Sequence, residues 1–167
     1  VLFRSQLHNL KLMRNLIILF IILITLQSCG FKMVDQDNLG NFYIVEIETS
    51  GEKKVNHKIR NKLLFTSDDN TRNKINVKIN SKKVKNIKEK NIKNEVTKYN
   101  LTLVSTIEYE NVNTKIKNTF TLSRNGNYGV STQNSKTINS EKKLLDLLTE
   151  KISDQITKEL ILRLDDY

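Results

Sequence analysis

Hydrophobic residues along this chain fall into three spacings, and each predicts a different element. The first is an unbroken apolar run from Leu16 to Leu26, preceded by a stretch whose charged residues are Arg4, Lys11 and Arg14. A helix needs about 20 apolar residues to cross a bilayer core. An 11-residue run reads instead as the hydrophobic segment of a secretory signal peptide, its positive flank held on the cytoplasmic side. The second spacing is alternation. From Asn41 the run NFYIVEIET sets Tyr43, Val45 and Ile47 on one face and Glu46 and Glu48 on the other, as expected of a strand that covers a core on one side. Ile75, Val77 and Ile79 alternate with Asn76, Lys78 and Asn80. Tyr99, Leu101, Leu103, Ser105, Ile107 and Tyr109 form the longest alternating face. Ile116, Asn118, Phe120 and Leu122 continue it after Asn111-Val112-Asn113, which predicts an antiparallel hairpin.

The third spacing is helical. Val55, Ile59 and Leu63, with Leu64, place an apolar stripe on one face, while Lys54, Lys58, Arg60 and Lys62 stay mostly in solvent. Ser67 to Asn70 then forms a polar loop. Leu144, Leu148, Ile152, Ile156 and Leu160 recur every four residues, widened by Leu145, Leu147, Ile161 and Leu164. This predicts a long C-terminal helix with Ser140 as N-cap and Glu141 at its positive end. Arg124-Asn125-Gly126-Asn127 reads as a turn, because Asn-Gly adopts positive φ at low cost, and a polar loop is expected on to about Asn139. The segment SKKVKNIKEKNIKN crowds Lys82, Lys83, Lys85, Lys88, Lys90 and Lys93 around three apolar residues, Val84, Ile87 and Ile92. It reads as a solvated loop or strand extension, or as a flap that contacts anions. The order strand, helix, three strands, helix predicts an α+β two-layer sandwich, with two helices packed on one face of a four-stranded mixed sheet.

Composition narrows function by exclusion. The 167 residues carry 28 Lys plus Arg against 18 Asp plus Glu, a formal net charge of +10, with one cysteine and no proline. One cysteine supports neither an intrachain disulfide nor a multi-cysteine zinc site, and no metal or cofactor is expected. The lysines accompany many Asn and Ile and no alanine, the bias of an AT-rich coding sequence. The charge therefore favours anionic contacts without choosing among phosphate, lipid headgroup and protein. Of the two histidines, His8 leaves with the signal peptide, and His57 lies on the polar flank of the first helix with no acid or serine partner at a telling spacing. P-loop, HExxH, GxSxG and Gly-rich dinucleotide patterns are missing, so the chain is not expected to be an enzyme. The strands lack the interleaved Arg and aromatic residues of an RNA-binding sheet, and an exported domain meets no nucleic acid.

Immediately after the apolar run stands Leu26-Gln27-Ser28-Cys29-Gly30. It resembles the bacterial lipobox, in which the cysteine thiol receives a diacylglycerol once a small residue precedes it and a Leu lies three positions before. Residues 1–28 then form a lipoprotein signal peptide, 29–40 a lipidated tether, and 41–167 a single α+β domain. Each buried methylene contributes about 0.8 kcal/mol, so two or three acyl chains on Cys29 make a stable membrane anchor. Gly30 stands where an Asp would resemble an inner-membrane retention signal, which points to the outer membrane.

Cys29-Gly30-Phe31-Lys32, followed by strand, helix, strand meander and a long amphipathic helix, resembles the lipopolysaccharide-assembly lipoprotein LptE family, formerly rare lipoprotein B. The strand patterns Tyr99 to Leu103 and Phe120 to Arg124 accord with it. The resemblance implies a plug inside the outer-membrane barrel LptD that assists barrel assembly at the periplasmic face and contacts lipopolysaccharide, without a covalent step. Lipid A phosphates attract cations, which makes Lys82, Lys83, Lys85, Lys88, Lys90 and Lys93 the ligand-binding candidates. The alternative reading is a stand-alone envelope lipoprotein that binds a small amphiphile in a groove between sheet and helices.

Overall fold

The computed structural model describes residues 40–165; the signal-peptide segment, Cys29 and nearly all of the tether lie outside the described residues. Strand β1 (Tyr43–Gly51) leads into helix α1 (Lys53–Thr66) and then to strand β2 (Lys74–Lys90). Strands β3 (Val96–Asn111) and β4 (Lys117–Gly129) follow, and then helix α2 (Asn134–Asp165). The spatial order is β1-β2-β3-β4, with β1 and β2 parallel and the other two pairs antiparallel. Strands running the same way cannot be joined by a tight turn, so the chain must travel back along the sheet between them; α1 is that return path.

β3 supplies the floor of the core. Leu101, Leu103, Ser105 and Ile107 have no solvent exposure, and Ile75, Val77 and Ile79 of β2 extend the same buried face. Onto it α1 lays Val55, Ile59 and Leu63, and α2 lays Leu148, Ile152, Ile156, Leu160 and Leu164. Each such side chain contributes about 1.5–3 kcal/mol when fully buried. The result is the expected α+β two-layer sandwich, with both helices on one face of the mixed sheet. Ion pairs Lys58–Asp146 and Lys62–Asp154 join the helices. On that flank α2 also buries Thr149, Ser153 and Thr157, whose hydroxyls donate to the carbonyls of Leu145, Thr149 and Ser153 at 2.7, 2.7 and 3.1 Å. Bonding back to their own helix satisfies these groups and leaves small side chains on the flank toward α1.

Three expectations are corrected. In β1 the register shifts between Ile44 and Glu46, so Val45 is a bulge residue. One extra residue reverses the facing of every later position in the strand. The core receives Phe42 and Ile44 before the bulge and takes Ile47 as a partly buried neighbour after it, while Val45 is exposed and Tyr43 half-buried. The segment Arg124-Asn125-Gly126-Asn127 is not a turn. It pairs with Leu103, Thr102, Leu101 and Asn100 as the second half of β4. A Cβ placed on Gly126 would lie 2.7 Å from Leu144 Cδ1, so this glycine admits the close approach of α2 to the strand. Finally, α2 begins at Asn134 and not after Asn139, which places Ser140 inside the helix. The first turn is organised by the Gln133 carbonyl, which accepts from Lys136 N at 3.1 Å, and by Ser131 N donating to Thr137 Oγ1 at 2.9 Å. Weak helix formers such as Asn134, Ser135 and Thr137 give no sign of this in the sequence.

Gly51, at φ 87°, ends β1 against β2: an added Cβ would sit 2.1 Å from the Ser81 carbonyl oxygen. Gly51→Ala is expected to cost about 2–4 kcal/mol through backbone strain and the clash together. Urea unfolding should show a lowered midpoint at unchanged slope. A loss below about 0.5 kcal/mol, the size of a neutral surface change, would show that the end of β1 can move away from β2.

Candidate functional site

β2 outruns its parallel neighbour. β1 pairs with it from Lys74 to Ser81 and leaves at Gly51, whereas β3 accompanies β2 as far as Lys90. The lysine-rich segment is thus a strand extension up to Lys90, closed by a tight turn. In that turn the Asn91 side chain accepts from Lys93 N and Glu95 N, both at 2.9 Å, and Asn94 adopts φ 62°. Because side chains alternate along a strand, the six candidate lysines do not share one surface. Lys83 and Lys85 reach the helix-bearing face, and Lys82 points to the opposite, open face. Register shifts between Ile87 and Lys90 re-aim Lys88 and Lys90, and Lys93 stands in the turn.

One acid on α2 gathers the helix-face pair. Glu141 Oε2 lies 2.8 Å from Lys85 Nζ and accepts from Tyr128 OH at 2.6 Å, and its Oε1 lies 3.5 Å from Lys83 Nζ. Lys85 Nζ also sits 4.2 Å from the centre of the Tyr99 ring, and the Tyr99 and Tyr128 rings lie 5.6 Å apart. Hydrogen bonds from Lys85 and then Tyr128 hold the Glu141 carboxyl below its ordinary value of 4.5. The bond to Glu141 in turn raises Lys85 above 10.5. Burial, helped by the bond to Glu141, raises Tyr128 above 10. This cluster ties β2, β3 and β4 to the start of α2.

The other lysines are placed differently. Lys90 Nζ donates to Asn94 Oδ1 at 2.9 Å and so closes the turn. Lys82, Lys88 and Lys93 are exposed and form no ion pair among the described residues. Beside them stand exposed apolar side chains: Ile87, across the strand pair from Tyr99, and Ile92 at the turn. The hairpin therefore presents cations and apolar groups together. The open sheet face is polar, with Thr106 and Thr121 hydroxyls 3.0 Å apart and ion pairs Lys78–Glu48 and Lys117–Glu110 at 2.9 and 3.2 Å. His57 is exposed on α1, its ring 3.2 Å from Asn61 Nδ2. No cluster of three or more His, Cys, Asp or Glu able to hold a metal occurs among the described residues. Cys29 lies outside them.

Sequence patterns singled out the lysines but not their partners. Tyr99 stood on the correct strand face. Tyr128 and Glu141 fell in and beyond a segment that reads as loop, and nothing local signals that they meet.

No family model and no curated protein matches the chain. Solved structures do. The fold is similar to that of rare lipoprotein B from Shewanella oneidensis, with a TM-score of 0.55 at 10% identity over 69% of this chain and 92% of that one. It is equally similar to lipoprotein B from Nitrosomonas europaea, with a TM-score of 0.55 at 14% identity over 79% of this chain and 90% of that one. At these identities the likeness establishes the fold: a lipoprotein B-type α+β sandwich.

The pH dependence of stability should report the Glu141 cluster. A carboxyl with a depressed value stabilises the fold above its ordinary 4.5 and loses that contribution as pH falls through the folded value. At the alkaline end the raised Tyr128 and Lys85 lose theirs as pH climbs past 10 and 10.5. Glu141→Gln is expected to flatten the acid limb of the melting-temperature profile below about pH 5, where the unaltered carboxyl loses its contribution. An acid limb identical to that of the unaltered protein would show that Glu141 does not hold the hairpin.

Proposed function

We propose that this chain is an envelope lipoprotein of the LptE (rare lipoprotein B) family. In this reading acyl chains on Cys29 hold it at the periplasmic face of the outer membrane. There it acts as plug and assembly partner of the LptD barrel in lipopolysaccharide transport to the cell surface, and performs no covalent step. The observation that carries the proposal is a conjunction: a lipobox running into Cys29-Gly30-Phe31, followed by a domain whose fold covers 92% of Shewanella rare lipoprotein B. The packing supports a plug over a carrier of small amphiphiles, since Ile59, Leu103, Ile107, Ile152, Ile156 and Leu160 fill the space between the layers with no solvent exposure. A polar open sheet face suits contact with the polar interior of a barrel. Lys82, Lys88 and Lys93, with Ile87 and Ile92 nearby, offer a phosphorylated lipid both cations and apolar neighbours.

Anchor, partner and ligand are each open to a separate test. Mass analysis of the mature protein should find acyl chains on Cys29, and Cys29→Ser should leave a folded domain that no longer sediments with membranes. From detergent-solubilised envelopes the unaltered protein should co-purify with a barrel of much larger mass. A bare mature N-terminus would remove the anchor, and recovery as a free monomer would remove the barrel partnership. Reversing Lys88 and Lys93 to Glu should lower the lipopolysaccharide recovered with the protein; unchanged recovery would leave the hairpin without that role.

A further inference from the structure

We propose that the outer edge of β2, from Lys82 to Lys90, is a docking site for an extended acidic peptide segment, which adds to the sheet in the line that β1 vacates. The inference stands apart from the barrel partnership and rests on backbone geometry first. The Ser81 carbonyl accepts from Glu52 N at 2.9 Å, so at Ser81 the main chain faces the β1 side. Main-chain groups of a strand alternate in direction. Lys83, Lys85 and Ile87 therefore turn their N–H and C=O groups to that same side, where β1 no longer stands, while Lys82, Val84 and Asn86 bond to β3. Among the described residues nothing pairs with the outward groups. A sheet edge of this kind accepts an incoming strand.

Charge decides which strand. The segment carries Lys82, Lys83, Lys85, Lys88 and Lys90; Glu141 engages Lys83 and Lys85, and the segment's one acid, Glu89, is engaged by Lys98 at 3.0 Å, so the edge keeps a positive balance centred on Lys82, Lys88 and Lys90. Two copies meeting edge to edge would oppose lysine to lysine, and like charges directly across a strand pair repel. The edge thus discriminates against its own copy and in favour of an acidic segment. Alongside it, between α1 and the N-terminal part of α2, a groove is lined by five lysines, among them Lys53, Lys54 and Lys142, against the three acids Glu52, Glu141 and Asp146. Alternate side chains of an added strand would enter this basic groove, and the others would lie near Lys82 on the open face. The register shifts after Ile87 limit the added strand to a short one.

The test uses the full chain in detergent micelles and an end-blocked peptide of about nine residues alternating Glu and Thr, with a peptide alternating Lys and Thr as control. Amide exchange followed by NMR should slow at Lys83, Lys85 and Ile87 by at least about tenfold with the acidic peptide and not with the basic one. Lys83→Pro removes an outward N–H without touching the ladder to β3, and should weaken acidic-peptide affinity at least about tenfold. The double reversal Lys82→Glu, Lys88→Glu leaves the backbone intact and should do the same, so it decides the matter if the proline variant misfolds. Peptide binding without slowed exchange at those three amides would overturn the proposal. So would equal protection by the basic peptide, or full affinity in the charge-reversed protein.

Discussion

The sheet has a single apolar face, and both helices must share it. The central strand β3 sets this constraint, with Leu101, Leu103 and Ile107 buried toward the helices and Thr102, Thr106 and Glu108 turned the other way. A helix with one apolar stripe can be buried only against such a face. Placing α1 between two parallel strands therefore ends β1 early, at Gly51, so that the chain can rise into the helix layer. β2 has no such obligation and continues beside β3. The unequal lengths of β1 and β2, and hence the exposed hairpin, follow from where the crossover helix must land.

Charge on that hairpin is organised by one residue. Lysines are abundant throughout the chain, and abundance alone makes no site. Glu141 separates them: it draws Lys83 and Lys85 into a cluster with Tyr128, leaving Lys82, Lys88 and Lys93 directed into solvent. The charged groups of the cluster are partly exposed, so its direct contribution to stability is modest and salt-sensitive. Its larger effect is geometric, because it fastens the extended strands to the start of α2 and fixes which cations and which backbone edge remain available to a partner.

Local periodicity carried much of the fold. The helical stripes at Val55, Ile59 and Leu63 and from Leu148 to Leu160 are buried where their spacing places them, and so are the alternating faces of β2 and β3. Deviations arose where one residue's role is set by a distant neighbour. Val45 belongs to the surface because it is the extra residue between Ile44, which pairs with Ile75, and Glu46, which pairs with Asn76, and Gly126 is a strand residue because Leu144 passes above it. The candidate site divides similarly: its lysines are visible as a run, while the Lys85–Glu141 pair spans 56 positions along the chain.

The amino-acid sequence by itself determined the α+β class, the two helix stripes, the central alternating strands and the lipobox-like context of Cys29, because each of these depends on residues within a few positions of one another. The tertiary structure alone decided the bulge at Val45, the full length of β4, the start of α2, and which lysines are paired or free. Those features depend on strand register and helix approach, contacts between segments that no local period can encode.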